Sequence, residues 1–314
     1  MKTFSADLSL GEFAVHVMTN HSQLLDHLTA GWTFPPGTAN DPPRATFNVE
    51  ARVVDNLNHY VSLREDFSYN YQHVTEILNL NYLQGAVRVE VHYHSARVSA
   101  TVEKRALHCA AALSNWIITL PVAELLKAYG LFFVHAAAVN KHGNGMLLSG
   151  KSGAGKTTIA LGLLLQGWQL LSDDEVYLSE ENGFQVRGGA TKIKISFRTW
   201  DMFREKLGAV QPFRMKRLLD LNGYFPGQHI AKSNVTALCF LQRGPDYDLQ
   251  RLPPIEALKE LFNLAFLNAH PEYARQNFAM LGRFVNTVPC YRLRFSADFS
   301  AVDRLLTAIV EGTD

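Results

Sequence analysis

Apolar and polar residues alternate over residues 13–19, and residues 22–30 switch to helical spacing before Gly31. The chain is therefore read as opening with a strand and then a helix. Pro35, Pro36, Gly37, Pro42 and Pro43 crowd the next stretch, which predicts an exposed loop over 35–43. Alternation returns at Phe47, Val49, Ala51 and Val53 and again at Val87, Val89, Val91 and Tyr93. Beyond Ser95-Ala96 the apolar phase shifts to Val98, Ala100 and Val102, as a turn between two antiparallel strands would produce. Residues 1–105 thus read as a smaller β-rich N-terminal domain, a candidate for substrate recognition. Two helical patterns separated at Leu120-Pro121 follow, and residues 106–129 are assigned as a helical connection.

The second domain is placed at 130–314. It begins with an apolar run from Leu131 to Val139 broken only by His135. A strand over 132–139, a turn over 140–144 and a strand over 145–149 would form a hairpin. Residues 157–166 are helix-compatible, Gly167 marks a left-handed cap, and residues 168–172 read as a strand that ends in Asp173-Asp174-Glu175. The class is α/β, without internal repeats.

Composition removes several functions. Of the 314 residues 47% are apolar, enough to fill large cores and to exclude a disordered or fibrous chain. With 30 Lys+Arg against 29 Asp+Glu, nothing global draws the protein to nucleic acid or to an anionic membrane. Cys109, Cys239 and Cys290 are far apart and lack metal-ligand spacing, so they read as reduced thiols in a cytoplasmic protein. The first residues reach Asp7 before any apolar stretch of signal-peptide length, and Asn115, Pro121, Glu124, Lys127 and His135 interrupt the most apolar region, so neither secretion nor a membrane span is expected. His92 and His94 share a polar strand face and read as solvated, since no third metal ligand is near in sequence.

Chemistry concentrates in one segment. Gly150-Lys151-Ser152-Gly153-Ala154-Gly155-Lys156-Thr157 is a complete G-x-x-x-x-G-K-[ST] phosphate-binding loop, preceded by a strand and followed by a helix. Its glycines let successive backbone N–H groups turn inward around phosphate oxygens, and the positive end of the helix faces the same anion. Lys156 is expected on the β- and γ-phosphates and the Thr157 hydroxyl on Mg²⁺. Asp173 and Asp174, at the carboxyl end of the next strand, are placed to hold Mg²⁺ or to take a proton from an attacking hydroxyl. In the hairpin, His135 would approach that acid pair and tune its proton affinity.

His135-Ala136-Ala137-Ala138-Val139, the loop at 150–157, and Gly167-Trp168-Gln169-Leu170-Leu171-Ser172-Asp173-Asp174 together resemble the catalytic core of the HPr kinase/phosphorylase family and its HPr-kinase-related relatives. The resemblance is strong over 130–178 and weaker beyond, where residues 234–241 and 288–293 look like later strands of such domains. It implies a P-loop kinase core of the type shared with phosphoenolpyruvate carboxykinases, a mixed sheet with flanking helices. It also implies transfer of the γ-phosphoryl group of ATP, with Mg²⁺, to a serine hydroxyl of a protein. Carried over by residue, Asp174 becomes the proton acceptor, His135 its partner, Lys156 the phosphate clamp, Thr157 a metal ligand and Asp173 a supporting or metal-bound acid. Gly150, Lys151, Ser152, Gly153, Ala154, Gly155 and Thr158 complete the nucleotide site. Two departures stand out: Thr158 occupies the place of an acid in the bifunctional enzymes, and Gln185-Val186-Arg187-Gly188 replaces a Glu-Ile-Arg-Gly-like signature. Both argue against phosphorylase activity and against HPr as the target, and favour the free-standing related kinases, including those that modify precursor peptides.

Other features are less defined. Arg214-Met215-Lys216-Arg217 is a small basic cluster suited either to an anionic substrate or to a solvated face, and the 191–195 alternation puts Lys192 and Lys194 on one side of a strand. Phe262 and Phe266 sit at helical spacing, as core residues do. A kinase of a small hydroxylated metabolite and a nucleotide-switched binding module are the rival readings, and a homo-oligomer stays open.

Overall fold

The strand alternation of the N-terminal hundred residues assembles, in the computed structural model of the protein, into a seven-stranded sheet. The structure describes residues 2–10, 12–30, 43–55, 67–188, 191–213, 216–262, 269–296 and 298–312. The predicted loop at 35–43 lies outside the described residues except for Pro43. Two compact units are present, one of residues 1–131 with 267–275, the other of residues 132–266 with 276–314.

In the first unit β1 (Phe4–Leu10), β2 (Phe13–Thr19), helix α1 (Ser22–Ala30), β3 (Ala45–Val54), β4 (Phe67–Gln72), β5 (Ile77–Tyr82), β6 (Val87–His92) and β7 (Arg97–Glu103) follow in order. The strand order is β1-β2-β3-β7-β6-β5-β4. Strands β6 and β7 pair antiparallel with Val91 opposite Val98, as the phase shift at Ser95-Ala96 indicates. β2, β3 and β7 run parallel, and α1 makes the β2-to-β3 crossover. His92 meets Ser99 at 3.0 Å and Glu90 at 3.3 Å.

The helical segment corrects one expectation. Residues 104–129 form one continuous run without a break at Pro121: a 3₁₀ turn (Lys104–Cys109), α2 (Ala110–Ser114), a π-helical turn (Asn115–Thr119), α3 (Leu120–Leu126) and a final 3₁₀ turn. Pro121 sits in the first turn of α3, and the preceding π turn re-routes the Leu120 N–H to the Asn115 carbonyl, so the missing proline N–H breaks nothing. The two charges within this segment, Glu124 and Lys127, are buried and meet at 2.6 Å, and the Tyr93 hydroxyl donates to Glu124 at 2.8 Å. Burial therefore leaves neither charge unpaired.

The second unit holds β8 (Phe132–Lys141), β9 (Asn144–Ser149), α4 (Lys156–Leu164), β10 (Gln169–Ser172), β11 (Glu175–Glu180), β12 (Phe184–Arg187), β13 (Lys192–Ile195), α5 (Phe197–Leu207), β14 (Gln211–Phe213), β15 (Lys216–Asp220), α6 (Leu221–Tyr224), β16 (Lys232–Arg243), β17 (Asp248–Arg251), α7 (Pro254–Phe262), α8 (Pro271–Thr287, from residue 276 on), β18 (Cys290–Phe295) and α9 (Phe299–Glu311). Eight strands form a mixed sheet in which β8, β9, β16, β12 and β11 pair in a closed ring. Strands β13, β15 and β14 make a separate small sheet.

The predicted hairpin is β8–β9. Its two-residue turn, His142-Gly143, has positive φ at both positions (52° and 86°), the twist that suits tight antiparallel connections. The apolar run in β8 is continuous because both faces are covered. Ala137 and Val139 enter a core with α4 and α9, whereas Val134, Ala136 and Ala138 enter another with α7 and α8. At Gly162 a Cβ would lie 2.5 Å from the Phe299 ring, so this glycine lets α4 and α9 touch. Phe262, expected in the core, is 53% exposed at the end of α7, on the face that α7 leaves to solvent. Phe266 lies outside the described residues. Among the described residues no helix is long and apolar enough to cross a membrane.

Candidate functional site

Strand β9 delivers the chain to a loop whose turns only glycine adopts without strain. Gly150, Gly153 and Gly155 have φ of +148°, +81° and +108°. At Gly150 a Cβ would approach the Ala154 Cβ to 3.0 Å and the Leu241 carbonyl oxygen to 3.1 Å. The loop tightens through an Ala154 N–H to Lys151 carbonyl bond of 2.9 Å and passes into α4 at Lys156.

The Lys156 side chain folds back into the loop and is buried. Its ammonium donates to the Gly150 carbonyl at 3.0 Å and to His135 Nε2 at 2.9 Å. Accepting that bond requires a neutral imidazole at Nε2, which leaves the Nδ1–H facing Asp174, whose Oδ1 is 3.4 Å away. His135 thus bridges the loop lysine and the acid pair. Burial lowers the His135 pKa, with Asp174 opposing and Lys156 reinforcing. Burial also lowers that of Lys156, against the opposing charges of Asp174 and Asp173.

Register places the acids. Ser172 of β10 pairs opposite Ala138, and Glu175 of β11 opposite His135, so Asp173 and Asp174 occupy the turn between two strands that share one neighbour. The Ser172 hydroxyl accepts the amides of Asp174 (3.4 Å) and Glu175 (3.2 Å) and pins that turn. Asp173 is buried, and its Oδ2 accepts from the Thr157 hydroxyl at 2.9 Å. Burial and the charge of Asp174 push its pKa up to about 6, with Thr157 and Lys216 pulling the other way. The same two causes push Glu175 up to about 7, while Lys194 opposes them.

These groups face a cleft of about 250 Å³. Of the predicted site residues, Ser152, Gly153, Gly155, Lys156, Thr157, Thr158, His135 and Asp174 line it. Gly150 and Ala154 shape the loop behind, Lys151 is exposed outside the lining, and Asp173 sits under Thr157. Thr158 turns away from the acids, its hydroxyl 3.0 Å from that of Thr199 in α5.

The basic part of the lining was only partly legible. Lys194, Arg198 and Lys216 line the cleft from β13, α5 and β15, and Arg243 from the end of β16. Lys194 carried a signal in the 191–195 alternation, but Arg198 and Arg243 carried none. The basic cluster divides: Lys216 faces the cleft, whereas Arg217 stacks on the Trp200 ring at 3.9 Å and donates to the Val210 carbonyl at 2.8 Å, a structural role that removes it from the candidate anion site. Lys192 is exposed, and Arg214 lies outside the described residues.

Among the described residues no three His, Cys, Asp or Glu side chains converge as metal ligands. The Thr157 hydroxyl and the Asp173 carboxylate are, however, hard oxygen donors 2.9 Å apart beside a phosphate-sized loop. Such a pair fits Mg²⁺, which keeps several waters and takes its remaining ligands from substrate phosphates.

Comparison with known proteins finds partial similarities. Residues 100–211 match the family model described as SynChlorMet cassette protein ScmC. The HPr kinase/phosphorylase of Lactobacillus acidophilus is 42% identical over 60 residues, and that of Clostridium botulinum 39% identical over 62 residues. These alignments span about a fifth of this chain and of each relative, 19% of both in the first case and 20% in the second. The solved Hpr(Ser) kinase/phosphatase from Coxiella burnetii aligns with 57% of this chain and 94% of its own, at 14% identity and a TM-score of 0.33. Over that fifth of its length the chain is similar to HPr kinase/phosphorylases.

Proposed function

We propose that the protein is a Mg-ATP-dependent kinase that transfers the γ-phosphoryl group to a serine hydroxyl of a protein or precursor peptide in the cytoplasm, on a catalytic unit of the phosphoenolpyruvate carboxykinase type. The observation that carries the proposal is the His135 bridge, which puts Lys156 of the phosphate loop at 2.9 Å on one nitrogen and Asp174 at 3.4 Å on the other. A nucleotide sensor needs the loop, but not a half-exposed carboxylate set beside it as a proton acceptor.

In this reading the inward-turned amides of the loop and Lys156 orient the polyphosphate. Thr157 and Asp173 hold Mg²⁺, which when bound supplies charge neutralisation on the transferring group. Asp174 receives the proton of the acceptor hydroxyl as its oxygen bonds to the γ-phosphorus, and the bridging oxygen leaves with ADP. His135, kept neutral by burial, aligns Asp174 without competing for that proton. The N-terminal β-rich unit is assigned to acceptor recognition.

Incubation with γ-labelled ATP, Mg²⁺ and host-cell extract, followed by mass localisation of the label, tests the reading. Label on a serine of one protein or peptide is expected. Label that appears only on a small metabolite, or no transfer beside intact nucleotide binding, would refute it.

A further inference from the structure

The loop is met by a second cation that the sequence did not single out. Arg243 ends β16, beside Phe295 at the end of β18, with which it is in register. A Cβ placed at Gly155 would lie 3.4 Å from Arg243 Nη2, 3.6 Å from its Nε and 3.1 Å from Phe295 Cζ. The guanidinium therefore rests against the glycine that immediately precedes Lys156. It also lines the cleft. Among the described residues no hydrogen bond or ion pair engages it. Its neighbour across the strands provides a contrast: Arg294 is held by Asp248 at 3.3 Å. A planar fork of donors set on an anion-binding loop, with no carboxylate to neutralise it, is matched to the paired oxygens of a phosphate.

We propose that Arg243 is a further phosphate ligand, gripping the polyphosphate of the nucleotide alongside Lys156 from across Gly155. The assignment rests on the nucleotide-binding part of the function proposed above. It makes Arg243 a determinant of affinity, because the side chain meets the loop at Gly155 and makes no hydrogen bond or ion pair with Asp174 or His135, the pair that handles the proton. It also predicts little effect on folding, because the side chain holds no other element.

Calorimetric titration of the full chain with a non-hydrolysable ATP analogue, and separately with tripolyphosphate, each with Mg²⁺, tests this. Arg243→Gln should weaken both ligands by about ten- to a hundredfold, the loss of a bidentate charge-assisted contact. Arg243→Lys, which keeps the charge but not the fork, should fall between, with the unfolding midpoint of all three proteins the same. Unchanged affinity for both ligands in Arg243→Gln would overturn the proposal. Weakened binding of the ATP analogue with undiminished tripolyphosphate binding would also overturn it, by moving the contact to the nucleoside. A wild-type protein that binds neither ligand would instead bring down the nucleotide reading, and this inference with it.

Discussion

Replacing Asp173 by asparagine removes a charge that the fold holds at a cost. Its side chain is 9% exposed, and burial together with Asp174 raises its pKa from 3.8 to about 6. The unfolded chain loses this proton near the ordinary value, the folded chain only near the raised one. Between the two, the unfolded state has shed a proton that the folded state retains, so stability falls as pH rises through that window. A shift of about two units, at about 1.36 kcal/mol each, removes up to about 3 kcal/mol by neutral pH and nothing below about pH 4. Asparagine has no such titration, and its carbonyl oxygen can still accept from Thr157. Asp173→Asn is therefore expected to stabilise the ligand-free protein by up to about 3 kcal/mol at about pH 7.5 and to leave it unchanged at about pH 4. At about 2–4 °C per kcal/mol for a domain of this size, the midpoint at the higher pH should rise by about 6–12 °C. Urea and thermal unfolding across that range, without Mg²⁺ or nucleotide, measure it. A difference that does not vary with pH, or a variant less stable than the parent at the higher pH, would refute this account of the acid pair.

Three substitutions separate the remaining roles. Asp174→Asn should keep affinity for a non-hydrolysable ATP analogue within about threefold while reducing transfer by about 10²–10⁴, and full turnover in single-turnover assays would contradict the proton-acceptor role. Lys156→Ala removes the ammonium from both the loop and His135, so analogue binding and transfer should each fall by more than about tenfold, and calorimetry that shows neither change counts against the clamp. Gly155→Ala forces a side chain into φ +108° with its Cβ 3.1 Å from Phe295. That change should cost about 1–3 kcal/mol in urea unfolding and weaken nucleotide binding, and a neutral result would mean that the loop tolerates another turn.

The local half of this site was readable because it is built from consecutive elements. The hairpin, the loop, α4 and β10 follow one another, each with its own punctuation, and antiparallel pairing returns β11 to β8 so that Glu175 falls opposite His135. The later strands β16 and β18 also showed as apolar runs. The basic lining was obscure for a physical reason. Lys194, Arg198, Lys216 and Arg243 come from four elements whose mutual placement is fixed by sheet order, and no spacing in the chain encodes that order. Arg217 differs from Lys216 by one position, and the pleat alone sends one to the cleft and the other onto Trp200. In the sequence Pro121 reads as a break, whereas a proline in a first turn after a π bulge costs no hydrogen bond.

One physical logic unites the groups that were found. Burial raises the pKa of Asp173 and Glu175, and it lowers that of Lys156 and His135. Each shift marks a group whose charged form is disfavoured in the folded chain. Opposite charges in contact would ordinarily cancel such penalties, yet the fold interposes a neutral imidazole between Lys156 and Asp174 and a hydroxyl beside Asp173. The spacers keep the cation and the acids from neutralising one another directly. A divalent ion beside the acids and a polyanion beside the lysine would relieve both sets at once, and neither could do so alone. In the proposed function, occupancy by the two together is therefore favoured over either singly, and relief of these burial penalties becomes binding selectivity for the metal–nucleotide pair.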